Sequence, residues 1–119
     1  MERVFVYGTL KKGFCNHAVL GKSAVFIGDY ITGKKYKMYD CGSYPALRLE
    51  GTTAIIGEVY DIIGLDRLDQ LEGYPILYDR IQIETDYGMA WVYYMTQRSG
   101  QYPYNPNEPC VVIESGEWK

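Results

Sequence analysis

The sequence predicts an α+β fold, a small mixed β-barrel flanked by one or two short helices, in a single domain over residues 1–119. Short β-favouring runs separated by turn residues recur about seven times along the chain. Only the segment around residue 70 has apolar residues at the three-residue spacing of a helix. The 119 residues, 47% of them hydrophobic, suit one domain with a substantial core.

The predicted strands are rich in β-favouring residues and are bounded by turn residues. They cover residues 3–8, 22–30, 31–40, 46–50, 53–62, 78–84 and 89–96, and residues 110–113 are either a last strand or an extended tail. Gly57 interrupts one of them, and a bulge or a close backbone contact is expected there. A turn at 86–88 predicts a hairpin, and a proline-containing loop is predicted between Ser99 and residue 110.

One amphipathic helix is predicted at residues 65–72, where leucine recurs every third position until a glycine and a proline end the pattern. At roughly 100° per residue, Glu72 points between Leu65 and Leu68, on the apolar side. A buried carboxylate without a partner has a raised pKa, which is what a general acid/base needs near neutral pH. The alternative is a structural glutamate, at a frayed helix end or bonded to Arg80 or a tyrosine.

Charge and hydropathy exclude several classes of partner. A net charge of -3 and a pI near 5.1 argue against nucleic acid or an acidic membrane surface. No apolar run is long enough to span a bilayer, and residues 1–3 lead directly into a strand instead of a signal peptide. We therefore expect a soluble protein.

The cysteines indicate a reducing compartment. Cys15, Cys41 and Cys110 are an odd number at wide spacing, so neither a disulfide framework nor a zinc site is predicted. A catalytic thiol is disfavoured as well, because His17 is the only histidine and lies two residues from Cys15, where the side chains would diverge. These features predict a cytoplasmic protein.

A glycine-containing loop runs from Gly8 to Gly13, after the first strand. The spacing is that of a phosphate loop, but Phe14 and Cys15 stand where lysine and serine or threonine are required, which argues against nucleotide binding. Amide hydrogens of such a loop can instead converge on one oxygen, as in an oxyanion hole. The alternative is a tight turn that requires glycine.

Tyrosines on the predicted hairpin are further candidates for the site. Tyr93 and Tyr94 are adjacent on one strand, so only one of them can face the interior. Tyr78 and Arg80 share a strand face soon after the helix. They either orient Glu72 or pack in the core.

Several segments form a recognisable set. They are Val4-Phe5-Val6-Tyr7-Gly8-Thr9-Leu10-Lys11-Lys12-Gly13 with Asn16-His17, then Gly57-Glu58-Val59-Tyr60, then Leu68-Asp69-Gln70-Leu71-Glu72-Gly73-Tyr74-Pro75 with Tyr78 and Arg80. Together they resemble the γ-glutamylcyclotransferase-like superfamily, closest to its γ-glutamylamine cyclotransferase branch and related small bacterial proteins. The strand at 90–93 and the end at 113–118 are similar to those small bacterial members.

The resemblance implies a small mixed β-barrel with flanking helices, no cofactor and no metal ion. Glu72 stands at the position of the family's catalytic glutamate. The expected substrate-binding residues are Tyr7, Gly8, Thr9, Leu10, Tyr78 and Tyr93. Of these, the loop residues would hold the glutamyl group.

The implied reaction takes place within the substrate. Its α-amine attacks its own γ-carbonyl, and Glu72 carries a proton from the attacking to the leaving nitrogen. The products are 5-oxoproline and a free amine, for example lysine from γ-glutamyl-ε-lysine. The expected partner is this small γ-glutamyl compound, with no nucleic acid and no membrane, and the protein would be a monomer or weak homo-oligomer. The alternatives are a non-catalytic binding module of the same fold and a related ring closure on a carrier-bound γ-glutamyl group.

Overall fold

A buried strand near the amino terminus lies at the centre of the larger of two β-sheets. The computed structural model describes residues 1–96 and 110–119, in which eight strands, one α-helix and one 3-10 helix are found. The strands are β1 (Glu2–Val6), β2 (Val25–Ile31), β3 (Tyr36–Asp40), β4 (Pro45–Thr53), β5 (Ile56–Ile62), β6 (Tyr78–Thr85), β7 (Gly88–Met95) and β8 (Val111–Val112). The 3-10 helix covers His17–Leu20, and helix α1 covers Asp66–Glu72.

The larger sheet has the strand order β2-β5-β1-β7-β6. Strand β1 runs antiparallel to β5 and parallel to β7, which makes the sheet mixed, as predicted. The predicted hairpin is confirmed by the antiparallel pairing of β6 with β7. The close contact expected at Gly57 is confirmed too, because a Cβ there would strike the Val6 carbonyl and the Phe5 ring.

The sheets do not close, so the predicted barrel is wrong. β2 and β6 are the edges of the larger sheet, and no ladder joins them in the described residues. Tyrosine side chains connect these edges instead: Tyr30 donates to the Glu84 carbonyl at 3.2 Å, and Tyr87 to the Asp29 carbonyl at 2.9 Å. Tyr87 also packs so tightly on Gly28 that a Cβ would not fit there. A phenol ring thus occupies the space that a closing ladder would need.

The second sheet, with the order β4-β3-β8, contains a disulfide that the sequence did not predict. β8 pairs with the end of β3 through Tyr39 opposite Val112 and Asp40 opposite Val111. The next residues along, Cys41 and Cys110, are bonded to each other. The prediction of no disulfide is therefore wrong, because strand pairing joins cysteines that are 69 positions apart. The cytoplasmic assignment loses this support and stays a prediction.

Alternate residues of β1 face two separate parts of the core. Val4 and Val6 pack in a cluster with Leu68 of α1, on the helical side of the larger sheet. Phe5 packs in a second cluster that includes Met38 from the smaller sheet. The chain therefore leaves β1 between the helical layer and the second sheet, and the loop after β1 begins there.

The predicted helix at 65–72 is confirmed as α1, and it ends at Gly73, whose φ of 64° is left-handed. Leu65 and Leu68 are buried, whereas Leu71 is 41% exposed. The inward-facing position of the last turn is thus occupied by Glu72 and not by the third leucine.

None of the helices in the described part of the chain has the length and apolar character needed to cross a bilayer. The proline-containing loop predicted after Ser99 falls at positions 97–109, outside the described residues.

Candidate active site

Glu72, at the end of α1, lines a cavity at the end of β1. The residue is half-buried, and burial raises the pKa of its carboxyl group to about 7. Within residues 1–96 and 110–119, no group donates a hydrogen bond to this carboxyl group. An acid with a pKa near 7 is populated in both protonation states at neutral pH, so Glu72 can both accept and return a proton.

At the start of the loop after β1, the carbonyl groups of Gly8, Thr9 and Leu10 are hydrogen-bonded, whereas their own amides have no acceptor among the described residues. The carbonyls of Gly8, Thr9 and Leu10 each accept a hydrogen bond at 2.9–3.0 Å. The donors are the Lys11 amide, the Asn16 amide and His17 Nδ1. In the described residues, no acceptor is bonded to the backbone N–H of Gly8, Thr9 or Leu10. These amides are available to a ligand oxygen, as an oxyanion hole requires.

Gly8 is required by packing. Its φ is not positive, but a Cβ at this position would lie 2.5 Å from Cγ of Pro45. The missing side chain lets the loop approach the start of β4, so the glycine serves a close contact and not a left-handed turn.

Three buried tyrosines commit their hydroxyl protons to the protein. Tyr7 donates to the Tyr93 carbonyl and Tyr78 to the Pro45 carbonyl, each at 2.7 Å. Tyr93 donates to Asp69 Oδ1 at 2.6 Å. A phenol has one proton to donate, so towards a ligand these oxygens can act only as acceptors.

The same tyrosines lie within the electrostatic reach of Glu72. The pKa values of Tyr7, Tyr78 and Tyr93 are all raised, in each case chiefly by burial and additionally by the negative charge of Glu72. The three phenols therefore stay protonated at neutral pH, so the tyrosines that share the cavity with Glu72 are neutral.

These groups line one small cavity of about 40 Å³, which is room for a few water-sized atoms. Its lining residues are Phe5, Val6, Tyr7, Gly8, Thr9, Leu10, Tyr44, Pro45, Glu72, Tyr78 and Tyr93. All the site residues expected from the sequence are among them. Sequence reasoning missed Tyr44 and Pro45, because no sequence signal connects their segment to the loop after β1.

A wider groove of about 450 Å³ lies beside this cavity. The two spaces share Thr9, Tyr44, Glu72 and Tyr78. Glu72 therefore lies where a small cavity meets a larger groove.

Arg80 binds Asp69 and not Glu72. Its Nε lies 2.9 Å from Asp69 Oδ1, and its guanidinium stacks over the rings of Tyr74 and Trp91 at 4.4 and 4.6 Å. Asp69 thereby ties α1 to the β6–β7 hairpin. The sequence-based alternative of a Glu72–Arg80 pair does not occur.

Cys15 and His17 have different surroundings and do not form a pair. Cys15 is exposed and lines the groove, whereas the His17 ring supports Leu10 and packs beside Tyr60. Among the described residues, no three His, Cys, Asp or Glu side chains converge as a metal site would require.

Comparisons with known proteins agree with the motif set. Residues 4–119 match the model of the family described as gamma-glutamyl cyclotransferase, AIG2-like. A Vibrio cholerae protein, provisionally named a gamma-glutamylcyclotransferase, is 40% identical over 97% of this chain and 93% of its own. The Escherichia coli K12 gamma-glutamylcyclotransferase family protein YtfP is 36% identical over 98% of this chain and 95% of its own.

A solved structure extends the likeness to the fold. The crystal structure of a mouse AIG2-like protein superposes with a TM-score of 0.76 at 26% identity, covering 100% of this chain and 88% of the mouse chain. The resemblance noted in the sequence is confirmed: this chain belongs to the gamma-glutamyl cyclotransferase, AIG2-like family.

Proposed function

We propose that this protein is a cyclotransferase that converts a γ-glutamylamine into 5-oxoproline and a free amine. The observation that carries the proposal is that two groups line the same cavity: the Glu72 carboxyl group, which has a pKa of about 7 and no hydrogen-bond donor among the described residues, and the segment Gly8 to Leu10, whose amides have no acceptor among them. The first is a proton carrier, and the second stabilises negative charge on an oxygen.

The tyrosines fit the other end of such a substrate. An α-ammonium group brings hydrogen-bond donors, and the phenol oxygens of Tyr7, Tyr78 and Tyr93 can offer only acceptor positions. The γ-carbonyl would then lie at the amides of Gly8 to Leu10. Folding the substrate in this way brings its own nucleophile against its own carbonyl, which removes the entropic cost of a second reactant.

Proton transfer completes the reaction. The α-ammonium loses a proton to Glu72, and the freed amine forms a bond to the γ-carbon while the carbonyl electron pair moves onto the oxygen. When that pair returns, the bond from the γ-carbon to the leaving nitrogen breaks. In total the α-nitrogen loses two protons and the leaving nitrogen gains two, so Glu72 is regenerated and no other reactant is consumed.

The test is to incubate the purified protein with a panel of γ-glutamyl amines and γ-glutamyl amino acids and to measure 5-oxoproline. We expect turnover of the amines, and a loss of roughly a hundredfold to ten-thousandfold in kcat for Glu72→Gln, because the amide cannot carry a proton. Asp66→Asn removes an exposed carboxylate from the same helix and is the matched control.

Two results would contradict the proposal. One is a wild-type protein that forms no 5-oxoproline from any member of the panel, and the other is a folded Glu72→Gln protein as fast as wild type. If the inactive wild type binds the γ-glutamyl compounds in calorimetry, the protein is the binding module of the same fold.

A further inference from the structure

The groove beside Glu72 has exposed aliphatic side chains in its lining, which the smaller cavity lacks. Leu71 and Leu77 form its exposed apolar part, with 41% and 47% of their surfaces accessible. Met95 adds a buried apolar side chain, and Tyr44 adds a ring. Apolar side chains on both α1 and the segment before β6 therefore face one space next to the reactive carboxyl group.

Glu72 is the one ionisable acid or base of ordinary strength among the described residues that line the groove. The other polar groups there are neutral and include Asn16 and Ser43. Among the described residues that line it, Glu72 bears the one carboxyl group, and there is no lysine, arginine or histidine. An anionic group held in such a groove would lose part of its hydration without gaining an oppositely charged partner.

The relative size of the two spaces fixes how a substrate can lie. The smaller cavity, of about 40 Å³, accepts only the compact reacting end of a ligand, and the groove, of about 450 Å³, has room for the rest of an extended one. Since Glu72 lies at the junction and must reach the leaving nitrogen, the substituent on that nitrogen extends into the groove.

We propose that the groove is the leaving-amine site and that it selects γ-glutamylamines whose amine carries an uncharged, apolar substituent. This rests on the proposed function. The apolar part of an alkylamine or arylalkylamine can pack against the leucine and methionine side chains. The lysine released from γ-glutamyl-ε-lysine instead carries a carboxylate that has no cationic partner in the described lining, and an ammonium whose one acidic partner there, Glu72, is needed for proton transfer.

The first test compares kcat/KM for γ-glutamyl-n-butylamide and γ-glutamyl-ε-lysine. Both substrates place four carbons on the leaving nitrogen, and only the lysine adds an ammonium and a carboxylate that must lose hydration in the groove. This cost should give a preference of about tenfold for the butylamide. Leu71→Lys should lower the ratio of the two values about threefold, because it adds a cation for the lysine carboxylate. Ile76→Lys, the same change at a 58% exposed position outside the groove lining, should leave the ratio unchanged. A wild-type ratio of one or less overturns the proposal.

The second test does not depend on catalysis. Cys15 is the free cysteine of the chain and lines the groove, so its alkylation by iodoacetamide, followed by peptide mass spectrometry without reductant, reports occupancy. N-butylacetamide should slow the alkylation more than Nε-acetyllysine at equal concentration. Equal protection by the two, or none by N-butylacetamide, overturns the proposed ligand class even if 5-oxoproline is formed. Selective protection without any 5-oxoproline would uphold the groove and reject the proposed reaction.

Discussion

Two carboxylates one turn apart on the same helix have opposite surroundings. Asp69 receives hydrogen bonds from Arg80 at 2.9 and 3.3 Å and from the Tyr93 hydroxyl at 2.6 Å. Glu72 receives none within the described residues, and burial raises its pKa to about 7. Asp69 is thus bonded into the fold, whereas Glu72 keeps a proton that it can exchange.

The difference shows how the fold separates stability from reactivity. The Asp69–Arg80–Tyr93 contacts attach α1 to the β6–β7 hairpin and so fix the backbone from which Glu72 extends. An additional donor on Glu72 would stabilise its ionised form and lower its pKa, which would remove it from the range useful for proton transfer at neutral pH.

Substitutions of Asp69 and Glu72 should differ most in their effect on the pH dependence of kcat/KM. If Glu72 is the base, wild-type kcat/KM should fall about tenfold for each pH unit below its pKa of about 7 and should level off above it. Asp69→Asn should keep this acidic limb with a lower plateau, and Glu72→Gln should lose the limb. The measurement is the pH–rate profile of the three proteins. If Glu72→Gln keeps an acidic limb with a midpoint near pH 7, the titrating group is a residue other than Glu72.

A smaller effect is expected in the pH dependence of stability. The folded protein holds the Glu72 proton more tightly than the unfolded chain, so the stabilisation is complete below about pH 4.5, is lost as the pH rises to about 7, and stays absent above. The loss is roughly 2–3 kcal/mol, after allowance for partial contact with solvent. Urea unfolding across this range should show a decline in wild type that is absent in Glu72→Gln. The same slope in both proteins would mean that folding does not raise the pKa of Glu72.

The smallest of these effects is the loss of stability in Asp69→Asn. We expect a decrease of about 1–3 kcal/mol in the free energy of unfolding, because Arg80 loses its counter-ion while partly buried. A double-mutant cycle with Arg80→Gln should give a coupling of about 1 kcal/mol. Additive losses in that cycle would show that the pair does not stabilise the attachment of α1.

Much of the fold follows from local pattern. The three-residue leucine spacing predicts α1. Two alternating segments on either side of the turn at 86–88 predict the β6–β7 hairpin, and Gly57 predicts the close contact with β1. Whether the sheet closes could not be predicted in this way, since it depends on the contact between edge strands distant in sequence, where the Tyr87 side chain packs on Gly28 and bonds to Asp29. The disulfide between Cys41 and Cys110 could not be predicted either, because it depends on the register of β8 against β3.

For the site, the sequence by itself determined which residues could take part: the helical period placed Glu72 on the apolar face, and the motif set pointed to the loop from Tyr7 to Leu10. Only the tertiary structure decided that Asp69, and not Glu72, takes Arg80, and that Tyr44 and Pro45 complete the cavity wall. The physical reason is that burial and hydrogen-bond partners, which set the pKa of a carboxyl group, are supplied by segments far apart in the chain.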